Sequence, residues 1–155
     1  MRRFASALPL LWLALVGAAC RSLPDLPPAD LSAPGWRVQQ GQAVWKPAKH
    51  RPELAGELLL AVHPRGDFLI QFTKTPFPLV AAQSAAGQWR IEFGRGDYVR
   101  RGRGAEPARF VWFQLPRFLA GARLDADWRG EGSAGEAWQL ENRRTGETLA
   151  GYLSP

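Results

Sequence analysis

The sequence predicts a mainly β protein: a curved antiparallel sheet forming an incomplete barrel, with one short apolar helix as its lid or plug. Three observations predict it. Apolar and polar residues alternate with a period of two through several stretches, the pattern of strands with one buried face. Turn-forming residues separate these stretches at intervals of about ten residues, which favours a meander of hairpins. One segment, Pro107–Ala120, abandons alternation for a nearly continuous apolar run.

Taken in order, the chain opens on a leader. Arg2 and Arg3 are followed by an apolar run from Phe4 to Val16 and by the small residues Gly17, Ala18 and Ala19. That is the layout of a secretory signal peptide over residues 1–19, too short in its apolar part to span a bilayer. Val16-Gly17-Ala18-Ala19-Cys20 resembles a bacterial lipobox, which implies that Cys20 becomes the lipidated first residue of the mature chain. Cys20 is the only cysteine, so no disulfide framework is possible. A diacylated cysteine is a lasting membrane anchor. Arg21 rather than aspartate follows it, which points to the outer membrane and a body facing the periplasm. Removal of Arg2 and Arg3 lowers the formal charge from +6 to +4.

Residues 20–35 are expected to be a lipidated tether, because Pro24, Pro27, Pro28 and Pro34 leave little that could pack. The folded unit is then one β-rich domain, 36–155, beginning near Trp36. Its first strand alternates loosely from Trp36 to Trp45. Leu58, Leu60 and Val62 share a face in the next. Phe68, Ile70 and Phe72 follow, and Trp89, Ile91 and Phe93 alternate cleanly with Gln88, Arg90 and Glu92. Trp138 and Leu140, then Thr148 to Leu153, supply the last strands. His63-Pro64-Arg65-Gly66, Ala85-Ala86-Gly87, Gly94-Arg95-Gly96 and Arg143-Arg144-Thr145-Gly146 are the expected turns.

Two segments fit no strand. Thr73–Val80 carries Pro76 and Pro78, so a loop or irregular edge is expected. Its apolar Phe77 and Leu79 either protrude as a contact surface or fold back to cap the core. Pro107–Ala120 reads as a helix, with Pro107 in its first turn, Gly121 at its stop and Pro116 as a kink or break. Phe110, Trp112, Phe113 and Phe118 make it apolar nearly all round. It is therefore buried on several sides, across a curved sheet or on one face of a flat one.

Catalytic chemistry is poorly supplied. His50 and His63 have no ligand-like spacing to each other or to an acidic cluster, so no metal is expected. Ser84 and Ser133 carry no nucleophile signature. Asp125 and Asp127 flank a turn and are expected to be solvated. Arg100-Arg101-Gly102-Arg103 reads as a solvated hairpin end rather than a nucleic-acid site. The faces bearing Trp45, Leu58, Leu60, Phe68, Ile70, Phe72, Trp89, Ile91 and Phe93 suit a solid core or an apolar cavity equally.

These pieces resemble the LolA/LolB lipoprotein-localisation family. The matching run is FLIQFTKTP, then FPLVAAQ, then a glycine turn into QWRIEF. FVWFQLPRFLAG is similar to the family's tryptophan-bearing helix, although Val80 stands where the family usually has glycine. The resemblance implies an incomplete barrel whose cavity receives lipoprotein acyl chains, and a protruding loop onto which Phe77 and Leu79 map. The expected function is thus that of a monomeric, cofactor-free, non-enzymatic lipoprotein that binds acyl chains or lipoprotein cargo at the outer membrane. The alternative is a structural or adaptor lipoprotein that binds an envelope protein through its sheet and apolar loop.

Overall fold

A computed structural model describes residues 26–96 and 98–154. Nine strands form one antiparallel sheet: β1 (Arg37–Lys46), β2 (Leu54–Val62), β3 (Phe68–Lys74), β4 (Phe77–Ala85), β5 (Gln88–Phe93), β6 (Tyr98–Arg103), β7 (Trp128–Gly132), β8 (Trp138–Asn142) and β9 (Thr148–Ser154). Their order across the sheet is β6-β5-β4-β3-β2-β1-β9-β8-β7. The sheet is not closed, and β6 and β7 are its edges. Every connection but that from β6 to β7 joins neighbours. The exception carries the chain from one edge to the other, and α1 (Val111–Leu119) lies within it. The helix sits on the concave face, so the fold is the incomplete barrel with a plug.

Alternation decides which residues point inward. Opposed residues in a ladder share a face, and the registers Leu58↔Phe72, Leu60↔Ile70, Ile70↔Ala82 and Ala82↔Ile91 line up one apolar surface. Leu58, Leu60, Ile70, Phe72 and Ile91 are each 2 % exposed or less. Leu140 on β8 and Leu149 on β9 continue that surface past β1. All four expected turns are hairpin turns, and the tightest, Ala86-Gly87, has both residues at positive φ (51° and 70°), as a two-residue hairpin requires.

The helix is shorter at its start than expected, beginning at Val111 rather than near Pro107. The reason lies in one carbonyl. A helix starting at Pro107 would use the oxygen of Ala108 for a backbone bond. Instead that oxygen accepts from Gln114 Nε2 (3.1 Å) and Trp128 Nε1 (2.7 Å). Pro116 does not split the helix, which continues to Leu119 and stops where Gly121 takes φ +72°. Val111 to Leu115 are all 1 % exposed or less, so the first half of the helix is buried on every side, whereas Pro116, Phe118 and Leu119 are half-buried and Arg117 is exposed.

Both edges are joined to the body by an aromatic ring on a glycine. Trp89 of β5 covers Gly102 of β6 so closely that a Cβ there would lie 2.4 Å from the indole. Phe118 of α1 covers Gly130 of β7 in the same way, at 2.3 Å. The Arg100–Arg103 stretch is therefore not a hairpin end but an edge strand. Its arginines give that open edge charges of the kind that discourage pairing with another sheet.

Two further expectations are sharpened or corrected. Of the alternatives for Thr73–Val80, the irregular edge holds and the loop does not: the register shifts between Phe72 and Thr73, β3 runs to Lys74 and β4 begins at Phe77, leaving Thr75 and Pro76 as the turn, joined by a cis bond. Pairing between β4 and β5 starts only at Val80↔Phe93. The hairpin tip thus projects past β5, and Pro78 has a strand on one side alone, where proline is tolerated. The folded body also begins before Trp36. Leu26 is 7 % exposed, and Gln83 on the convex face of β4 donates to the carbonyl of Pro27 (3.0 Å). Prolines remove backbone donors, but they do not prevent packing of the leucine beside them.

Candidate functional site

Strand directions divide the barrel into two ends. The β1–β2, β3–β4, β5–β6 and β8–β9 connections meet at one, and the β2–β3, β4–β5 and β7–β8 connections at the other. The first half of α1 packs toward the first end. Trp112 meets Trp45 edge-on with ring centres 5.2 Å apart, and lies 5.3 Å from Phe72. Phe93 stacks on Trp45 (6.1 Å) and touches Phe110 (5.9 Å). Phe113 reaches back to Phe68 and Trp89. This end is filled with side chains.

One carboxyl group belongs to it. Glu147, in the β8–β9 turn, accepts a hydrogen bond from Trp45 Nε1 at 2.9 Å. Burial pushes its pKa up from 4.5 to about 7, with the Trp45 hydrogen bond acting the other way. The turns and strand ends here also carry Lys49, Arg51, Lys74, Arg95, Arg143 and Arg144. Phe77 stands out at the tip of the β3–β4 hairpin, 56 % exposed, with the Arg95 guanidinium 5.9 Å from its ring.

The opposite end is open. A cleft of about 520 Å³ lies between the C-terminal half of α1 and strands β1–β3. Leu60, Val62 and Phe68 form its sheet wall, and Pro116 and Leu119 its helix wall. Arg37 and Gln39 of β1 line it too, with His63, Asp67 and Glu106 at its margins. The polar residues on β1 follow from the register. Arg37 is opposite Val62 and Gln39 opposite Leu60, so both point to the concave face. A second depression, of about 460 Å³, runs over Val44, Ala55 and Tyr152 on the convex face, where no element among the described residues covers it.

The residues expected at the site fall into three groups. Trp45, Leu58, Leu60, Phe68, Ile70, Phe72 and Ile91 are buried on the concave face, with Trp89 and Phe93 half-buried beside them. Of these, Leu60 and Phe68 reach the cleft, and the others form solid core. In the helix segment, Trp112 and Phe113 are core, Phe110 caps the helix start and Phe118 is half-buried against Gly130. At the hairpin, Phe77 protrudes, but Leu79 does not: it packs half-buried against the core cluster. Cys20 lies outside the described residues, as do residues 21–25 of the expected tether.

Sequence reasoning passed over Arg37, Gln39, Gln114 and Glu147. The signal for the first two was parity, since Trp45, Ala43, Gly41, Gln39 and Arg37 occupy alternate positions of one strand. Asp125 keeps 37 % of its side chain exposed, as expected of a solvated carboxylate, while accepting from buried Gln114 (2.7 Å) and from Arg117 (3.2 Å). Asp127 pairs with Arg144 at 2.9 Å. Among the described residues no group of three or more histidine, cysteine or acidic side chains could hold a metal ion. No helix among them is long and apolar enough to cross a membrane. No protein-family model matches the chain, and no curated protein matches it in sequence.

Proposed function

We propose that the protein is a lipid-anchored envelope protein of the bacterial outer membrane that holds an acyl chain, its own ligand or that of lipoprotein cargo, in the open end of its half-barrel. The observation that carries this reading is the cleft between α1 and β1–β3, apolar on two walls and bounded by a few polar groups. At about 520 Å³ it falls in the range of about 300–1,000 Å³ usual for small-molecule pockets. Each methylene removed from water contributes about 0.8 kcal/mol, so about ten of them give about 8 kcal/mol before the ordering costs of association. A micromolar complex needs about 8 kcal/mol net, so a chain of about ten methylenes binds more weakly than that and a longer one approaches it. No covalent chemistry is needed, and the lipobox-like segment at Cys20 would place the cleft beside a source of acyl chains.

The test is a titration of the purified protein with a fluorescent fatty acid. Saturable binding is expected, and Ala122→Trp, which fills the cleft from its rim, should weaken it tenfold or more while leaving the melting temperature unchanged. Absence of saturable binding by the unaltered protein rejects the reading.

A second reading, an adaptor that docks an envelope protein, is favoured by one specific observation. The other end of the barrel is solid, and the most exposed large apolar side chain there is outward-facing Phe77 among cationic turns.

A further inference from the structure

The cleft has a polarity that its apolar walls do not explain. One row of opposed residues crosses the concave face at the open end: Arg37 on β1, Val62 on β2, Phe68 on β3 and Ser84 on β4. The two middle members are apolar. At the far end, the Ser84 hydroxyl donates to the Glu106 carboxylate. The next row begins with Gln39 and continues through Leu60 and Ile70.

Of the charges lining this space, Asp67 and Arg117 stand in ion pairs, whereas Glu106 and Arg37 do not. Asp67 is held by Arg65 at 3.2 Å and accepts from the backbone N–H of Ala86. Arg117 is paired with Asp125 at 3.2 Å. Glu106 is engaged by Ser84, which stands three strands from β1, about 14 Å along the sheet at the usual strand spacing. Arg37 has no ion-pair partner among the described residues, and Gln39 no hydrogen-bond partner for its side chain. An arginine fork beside an amide, at the lip of an apolar wall, suits a planar or tetrahedral anion.

We infer that the cleft selects an amphiphile with an anionic headgroup, a carboxylate or a phosphate ester, whose charge is taken by Arg37 with Gln39 beside it, while its chain lies on Leu60, Val62 and Phe68. This rests on the reading of the cleft as the acyl site, and it assigns Arg37 as the residue that determines specificity. Salt weakens the contact, because Arg37 is exposed to solvent.

The experiment uses the purified protein and three probes of equal chain length: a fatty acid, a lysophospholipid with a phosphate monoester head, and an uncharged monoacylglycerol. The unaltered protein should bind the better of the two anions at least tenfold more tightly than the uncharged probe, and that anion names the headgroup. Arg37→Gln should reduce both anions to the affinity of the uncharged probe and leave that probe's own affinity unchanged. Equal binding of all three probes by the unaltered protein overturns the inference and leaves the acyl reading standing. So does an anion preference that survives Arg37→Gln. Failure of every probe to bind overturns both.

Discussion

The two ends of the half-barrel are built on the same sheet face and the same helix, yet one is solid and the other is open. At the closed end, Trp45, Phe72, Phe93 and Trp112 meet ring to ring, and even the carboxyl of Glu147 is drawn into the packing. At the open end, β1 offers Arg37 and Gln39 where its other half offers Trp45, and α1 has passed its last fully buried residue, Leu115. A plug nine residues long cannot fill both ends of a nine-stranded sheet. The difference teaches that filled core and open cleft are not alternatives for these aromatic faces. Most of the concave surface is core, and Leu60 and Phe68 also border the cleft.

The largest expected effect tests the solid half. Trp112→Ala should cost about 3–5 kcal/mol, the range for truncating a fully buried large aromatic residue, measured by urea denaturation. A loss below about 1 kcal/mol would mean that this end is not tightly packed. Next comes Glu147. Its raised pKa means that the folded protein keeps a proton which the unfolded chain releases above pH 4.5. Stability from this group is therefore full below pH 4.5 and is lost as pH rises through about 7. Glu147→Gln retains an acceptor for the Trp45 N–H and removes the charge. It should raise stability at pH 8 by on the order of 2 kcal/mol and flatten the pH profile between 5 and 8. A variant no more stable than the parent at pH 8 would show that the carboxylate is solvated. The smallest effect is at the rim. Phe77→Ser should leave stability within about 0.5 kcal/mol of the parent. If the adaptor reading holds, it should lose the envelope partner in pull-down while fatty-acid binding persists. If fatty-acid binding is lost as well, the two ends do not act independently.

Much of the fold was legible in the sequence because a half-buried strand writes its burial into alternate positions. Phe68-Leu69-Ile70-Gln71-Phe72 and Trp89-Arg90-Ile91-Glu92-Phe93 could be read directly, and so could the turns between them. Edge strands write less. Tyr98–Arg103 buries no large side chain of its own and is seated by Gly102 under Trp89, a contact between residues on different strands. Proline misled beside Leu26, where side-chain burial decided the outcome. At Pro78 it left loop and irregular edge undecided, because the missing N–H fell where no ladder bond was required. The cleft was half legible. Leu60 and Phe68 were expected on its face, but the sorting of aromatic residues into core and cavity depends on where the helix ends, and one carbonyl, that of Ala108, shifts where it begins. Arg37 and Gln39 share the parity of Trp45, but alternation from Trp36 to Trp45 is too loose in hydropathy to mark which polar residues face inward.

The hydrogen bond that ties Pro27 to Gln83 on the convex face has a consequence for how the body could stand on a bilayer. Were Cys20 to carry the lipid, six residues would join it to Pro27, and a fully stretched chain of that length reaches no farther than about 25 Å. Such a short leash would hold the sheet's outer surface close to the headgroups and limit how far the body could swing away. Any ligand leaving the cleft would then enter a leaflet already near at hand, with little diffusion through the aqueous space between.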